Sequence, residues 1–85
     1  MNEVEIGIVT HYFDKITVAA IRLTAGELVV GDIIHVKGHT SDVTTPVASI
    51  QLEHLKADRA APGQTVGIKV PGKVHEHDKV FKVTP

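Results

Sequence analysis

The chain has no cysteine and no tryptophan. Without a thiol it can form no disulfide, no cysteine-based metal site and no thiol nucleophile. Aromatic side chains are scarce: Tyr12, Phe13 and Phe81 are the whole set. A face of stacking platforms for single-stranded nucleic acid needs more than these. Neither sign of charge dominates, since nine Lys and Arg stand against ten Asp and Glu for a formal charge of −1. That balance excludes general electrostatic adhesion to nucleic acid, so any RNA contact would be local and shaped. No apolar run approaches the roughly 20 residues that span a bilayer. The opening Met1-Asn2-Glu3-Val4-Glu5 is acidic and no apolar stretch follows it, unlike a secretory leader. A cytoplasmic setting is the expectation.

What is present is a period of two. Val4, Ile6 and Ile8 alternate with Glu3, Glu5 and Gly7, and Ile34 and Val36 with Ile33, His35 and Lys37. The same holds for Ala48, Ile50 and Leu52, for Val66, Ile68 and Val70, and for Phe81 and Val83 against Val80 and Lys82. Such sets are strands with one face in a core and one in water, and their β-branched content agrees. Turn chemistry separates them: Asp14-Lys15, Ala25-Gly26, Gly31-Asp32, the run Gly38 to Asp42, Pro62-Gly63 and Pro71-Gly72. No segment sustains a helical stripe over ten residues, and Lys56 to Ala61 has room for one short turn. Eighty-five residues make one domain, which buries only about 60–65% of its unfolded surface. The pattern predicts an all-β fold, a small closed antiparallel β-barrel of six or seven strands, because closure removes exposed edges.

Two spaced signatures carry a family resemblance. Thr17 to Asp32 runs from a strand into Gly26, a short apolar segment and Gly31-Asp32, followed by a further strand. Ala61-Pro62-Gly63-Gln64-Thr65-Val66-Gly67-Ile68 is the second. Both resemble the second, β-barrel domain of elongation factor Tu and related translation GTPases, and the similarity covers Ile6 to Val83. In the structural roles this implies, Gly26 and Gly31 supply backbone conformations that a Cβ disfavours. Asp32 caps the turn beside Gly31, Gly63 belongs to the second signature, and Gly67 permits close backbone approach in mid-strand. One departure is clear: where that family has Gly-Asp before its last strand, this chain has His77-Asp78. No phosphate-binding G-x-x-x-x-G-K-[ST] loop exists, so GTPase activity does not transfer. A similar barrel is also appended to certain collagenase-like peptidases, and fold alone does not set function.

The residues themselves offer few sites. His75 and His77 would share a face if extended and are the candidate metal ligands, with His11 and His54 in other strands. A zinc site needs three or four converging ligands, and exposed polar roles are the simpler reading of the six histidines. Arg22, Lys56, Arg59, Lys69 and Lys73 are candidates for a basic patch meeting RNA phosphates, against the simpler reading of a mixed-charge solvated surface. His35, Lys37 and His39 alternate along one strand as a second candidate surface. No nucleophile, base and oxyanion donor occur together, and no serine sits in a G-x-S-x-G elbow. The resemblance therefore implies a stand-alone binding module, with neither cofactor nor enzymatic activity. It would contact tRNA, ribosomal RNA or a translation-associated protein, and no nucleotide or membrane. The alternatives are an interaction or self-assembly adaptor outside translation, or a small histidine-based metal-binding protein.

Overall fold

The structure is a computed structural model, and it describes residues 2–53 and 55–84. The described residues form ten strands and no helix: β1 (Asn2–Phe13), β2 (Val18–Leu23), β3 (Leu28–Val29), β4 (Ile33–Lys37), β5 (Asp42–Pro46), β6 (Ile50–Leu52), β7 (Leu55–Ala57), β8 (Arg59–Ala60), β9 (Thr65–Lys69) and β10 (Lys79–Thr84). No helix among them is long and apolar enough to cross a membrane. Eight strands pair antiparallel in the order β5-β4-β10-β1-β2-β9-β6-β7, and β3 pairs with β8 in a separate ladder. The all-β antiparallel fold is thus as the period-two pattern predicts. The segment 56–61, expected to hold one helical turn, is instead extended in β7 and β8.

Barrel closure is the point of difference. The end strands β5 and β7 form no ladder with each other among the described residues. The chain turns at Gly31 (φ +100°), and the segment there makes isolated bonds in place of a ladder. Val30 N–H donates to the Asp58 carbonyl and Gly31 N–H to the Val47 carbonyl. A left-handed turn cannot continue a strand, so a regular closing ladder does not form at this point.

The core is assembled from the inward positions of most strands. Ile21 and Leu23 of β2, Leu28 of β3, Ile34 of β4, Ile50 of β6 and Ile68 of β9 are all fully buried. Two expected faces differ. In β1 the register shifts between Glu5 and Gly7 and again between Val9 and His11. Each bulge adds an unpaired residue and flips the alternation. Ile6 and Val9 therefore enter the core while Val4 stays 55% exposed. In β10 Val80 is the fully buried residue, and Phe81 and Val83 lie half-buried on the other face.

Candidate functional site

Bulges and register bring three distant segments together on the outward face of β2, β9 and β6. Ala20 stands opposite His11 on one side and Gly67 on the other, and Gly67 stands opposite Gln51. Two residues along, Val18 stands between Phe13 and Lys69. The middle row is floored by the smallest side chains, Ala20 and Gly67, and larger ones rise around it. The result is an open apolar groove of about 410 Å³, walled by Phe13, Ile16, Val18, Gln51 and Glu53. A second hollow of about 280 Å³ shares Ile16, Val18, Gln51 and Gly67 with it and ends at Ser49 and Lys69.

Three features mark this groove as more than a gap between strands. Glycine in mid-strand weakens a sheet and marks close approach by another chain or ligand. A Cβ on Gly67 would come within 3.3 Å of the Val18 side chain and stand on the groove floor. Phe13 and Ile16 remain 46% and 60% exposed although apolar. The backbone at both ends is left-handed at residues other than glycine, Thr17 at φ +53° and Glu53 at φ +51°. Such conformations cost on the order of 1–3 kcal/mol and concentrate at functional sites.

A different cluster ties two loops. The Ser41 hydroxyl and His75 Nδ1 are hydrogen-bonded at 2.8 Å, and the buried Asp78 accepts the backbone N–H of His75 at 2.8 Å. Serine, histidine and aspartate meet here, but without relay geometry. Asp78 Oδ2 lies 3.9 Å from the same Nδ1 that faces Ser41, whereas a nucleophilic triad places acid and hydroxyl on opposite ring nitrogens. The cluster instead joins the β4–β5 loop to the loop before β10.

His35 forms a third junction. Its Nδ1 lies 2.9 Å from Glu3 of β1, and its Nε2 is hydrogen-bonded to Asp42 of β5. With both ring nitrogens facing carboxylates, the imidazolium satisfies both as donor. The Asp42 hydrogen bond raises the His35 pKa above its ordinary value, partial burial opposes this, and Glu3 adds to the rise.

The residues named from sequence are divided among these places. Arg22 and Lys69 lie on the β2–β9 face of the groove, and neither has an acidic partner within 4 Å among the described residues. Arg59 on β8 pairs with Glu27 at 3.2 Å, and Lys56 lies on β7. Lys37 ends β4, and His39 and Lys73 are exposed in loops. His35 is held by its two carboxylates, so the alternating stripe is not a row of free side chains. His75 bonds Ser41, His77 is exposed, and His11 lies 3.5 Å from Glu76. Among the described residues no group of three His, Cys, Asp or Glu is placed to hold a metal ion, and His54 lies outside them. Gly26, Gly31 and Gly63 have φ of +74°, +100° and +92°. The Asp32 carboxylate accepts the Val29 N–H at 2.9 Å and meets Lys82 at 3.2 Å. The groove walls Phe13, Ile16, Val18, Gln51 and Glu53 escaped the sequence reading. Only the small residues Ala20 and Gly67 inside strands hinted at them.

Comparison with known proteins changes the functional frame. No protein-family model matches the chain. It is 36% identical over 81 residues to an uncharacterised protease of Methanocaldococcus jannaschii, covering 94% of this chain and 20% of that protein. It is 32% identical over 82 residues to a collagenase of Porphyromonas gingivalis, covering 95% of this chain and 20% of the other. The chain thus spans about one fifth of the length of the curated relatives it matches. Its fold is shared with the C-terminal domain of a Geobacillus thermoleovorans protein described as a U32 peptidase. The TM-score there is 0.87 at 22% identity, with 94% of this chain and 92% of that one covered.

These findings correct the kinship expected with elongation factor Tu. The proteins that the chain is similar to are a protease and collagenases. The expected translation-type module contacting RNA is corrected with it. So is the expectation that no enzymatic activity attaches to such a chain. The adaptor and histidine-metal alternatives find no support in the comparisons either. The physical reason for the misreading is that both glycine-spaced signatures encode turns and close strand approach, which are requirements of a fold and not of a function.

Proposed function

We propose that this chain is a peptide-binding β domain of a U32-type peptidase, serving peptide-bond hydrolysis by holding a polypeptide segment in the groove on β2, β9 and β6. The observation that carries this reading is the open apolar groove floored by Ala20 and Gly67 and walled by Phe13 and Ile16. Similarity to a protease and to collagenases supports it, as does the shared fold with a peptidase's C-terminal domain. Sites for small ligands are concave and mostly apolar, with a few placed polar groups, and this groove has that character. The test is a titration of the isotope-labelled chain with unstructured gelatin-derived peptides, followed by amide chemical shifts. Saturable shifts confined to residues 13–20, 49–53 and 65–69 are expected. Their absence, or shifts centred elsewhere, would overturn the reading.

A further inference from the structure

The two hollows differ in chemistry at their outer ends. The larger one runs from the apolar walls to Glu53 and Thr65, and the smaller one runs to Ser49 and Lys69. Gly67 lies between, open to both. Along an extended strand Lys69 and Thr65 are roughly 13 Å apart, about the reach of four residues of an extended peptide lying along β9. Lys69 is the single charged side chain lining the smaller hollow. No acidic group lies within 4 Å of it among the described residues. Beside it stand a hydroxyl and a carboxamide, Ser49 and Gln51. An ammonium, a hydroxyl and an amide around one hollow complement a carboxylate. The apolar wall that continues from them complements the side chain next to that carboxylate.

Resting on the peptide-groove reading above, we infer that the joined hollows form a two-part site for an apolar residue bearing or adjoining a carboxylate. A bulky apolar side chain sits over Gly67 and Ala20 between Phe13 and Ile16. The carboxylate next to it is taken by Lys69, with Ser49 and Gln51 as further donors. That carboxylate is either the C-terminus of a peptide or an acidic side chain one position along, and the chemistry of recognition is the same. Polymer ends of this kind are what peptide-bond hydrolysis generates.

The experiment uses the 85-residue chain and three labelled peptides read by fluorescence anisotropy. The first is Gly-Ala-Gly-Ala-Phe with a free C-terminal carboxylate, the second is its C-terminal amide, and the third is an amide with Asp after Phe. A carboxylate peptide binding about tenfold more tightly than the neutral amide is expected, a step of one charge-assisted contact. Whether the first or the third peptide gains identifies the source of the carboxylate. Lys69→Gln abolishes that advantage, and Ile16→Ser, at an exposed position, weakens all three. Gly67→Val also weakens all three, provided its circular dichroism matches the parent. Equal affinity of all three peptides overturns the carboxylate half and leaves the peptide groove standing. Unaltered preference in Lys69→Gln also overturns it. Failure of all three peptides to bind overturns both readings.

Discussion

Asp78 occupies the space that a side chain at position 38 would need. A Cβ built on Gly38 overlaps both Oδ1 and Cγ of Asp78. Asp78 is 6% exposed and holds the His75 backbone N–H, so it has little freedom to swing aside. Gly38→Ala is therefore expected to destabilise the fold by about 2 kcal/mol, the usual scale of overpacking a tight site. A lower urea midpoint at unchanged slope would show it. A midpoint equal to the parent's would mean that the β4–β5 loop yields freely.

His77 has the opposite problem. Its φ of +75° is a left-handed conformation, which costs a residue with a Cβ roughly 1–2 kcal/mol. Its backbone N–H still donates to the Val9 carbonyl at 2.8 Å, and glycine would keep that bond. Part of the relief is offset by the greater freedom glycine has when unfolded. His77→Gly is expected to stabilise by about 0.5–1 kcal/mol in chemical denaturation. Destabilisation would assign the His77 side chain a contact worth more than the strain.

The His35 junction makes stability depend on pH in a definite direction. Its pKa is raised in the folded chain, first by the Asp42 hydrogen bond and also by Glu3. The protonated form is thus the one the fold favours. Its contribution is fully present below the ordinary histidine value near 6.5. It is lost as pH rises through the higher folded value. Glu3 and Glu5 face this site from β1, Asp42 from β5 and Lys79 from β10, the last paired with Glu5 at 3.8 Å. Denaturation midpoints measured from pH 6 to pH 9 should fall for the parent and flatten for His35→Gln. A parallel fall in both would place the sensitive group elsewhere.

Two isoleucines separate packing from binding. Ile68 is fully buried between β2 and β6, and Ile68→Ala should cost about 3 kcal/mol through lost burial and a cavity. Ile16 is 60% exposed at the turn before β2. Ile16→Ser should stay within about 0.5 kcal/mol of the parent, as surface substitutions do, while weakening peptide binding in the groove. Equal losses of stability in the two variants would make Ile16 a core residue and remove a wall of the proposed site.

The sequence by itself determined the all-β class, most of the turns and the inward rows of β4 and β9, because a period of two and the residues of turn chemistry act locally. A glycine at position 77 was implied only by the family resemblance, and His77 there has a φ of +75°. It did not determine the faces of β1 and β10. Bulges shift register by one residue with no signature of their own, and so Val4 is exposed while Ile6 is buried. Nor did it show the closing region, where isolated hydrogen bonds around Gly31 stand in place of a ladder. The groove was the least legible. Phe13, Gln51 and Gly67 lie far apart in the chain and become neighbours only through cross-strand pairing. Gly67 stands out in the sequence only as a mid-strand glycine, and its place beside Phe13 and Gln51 emerges once β2 and β9 are in register and β6 is laid beside them. What the tertiary structure decided is therefore the groove itself, because a groove is a property of juxtaposed rows and no single run of residues encodes it.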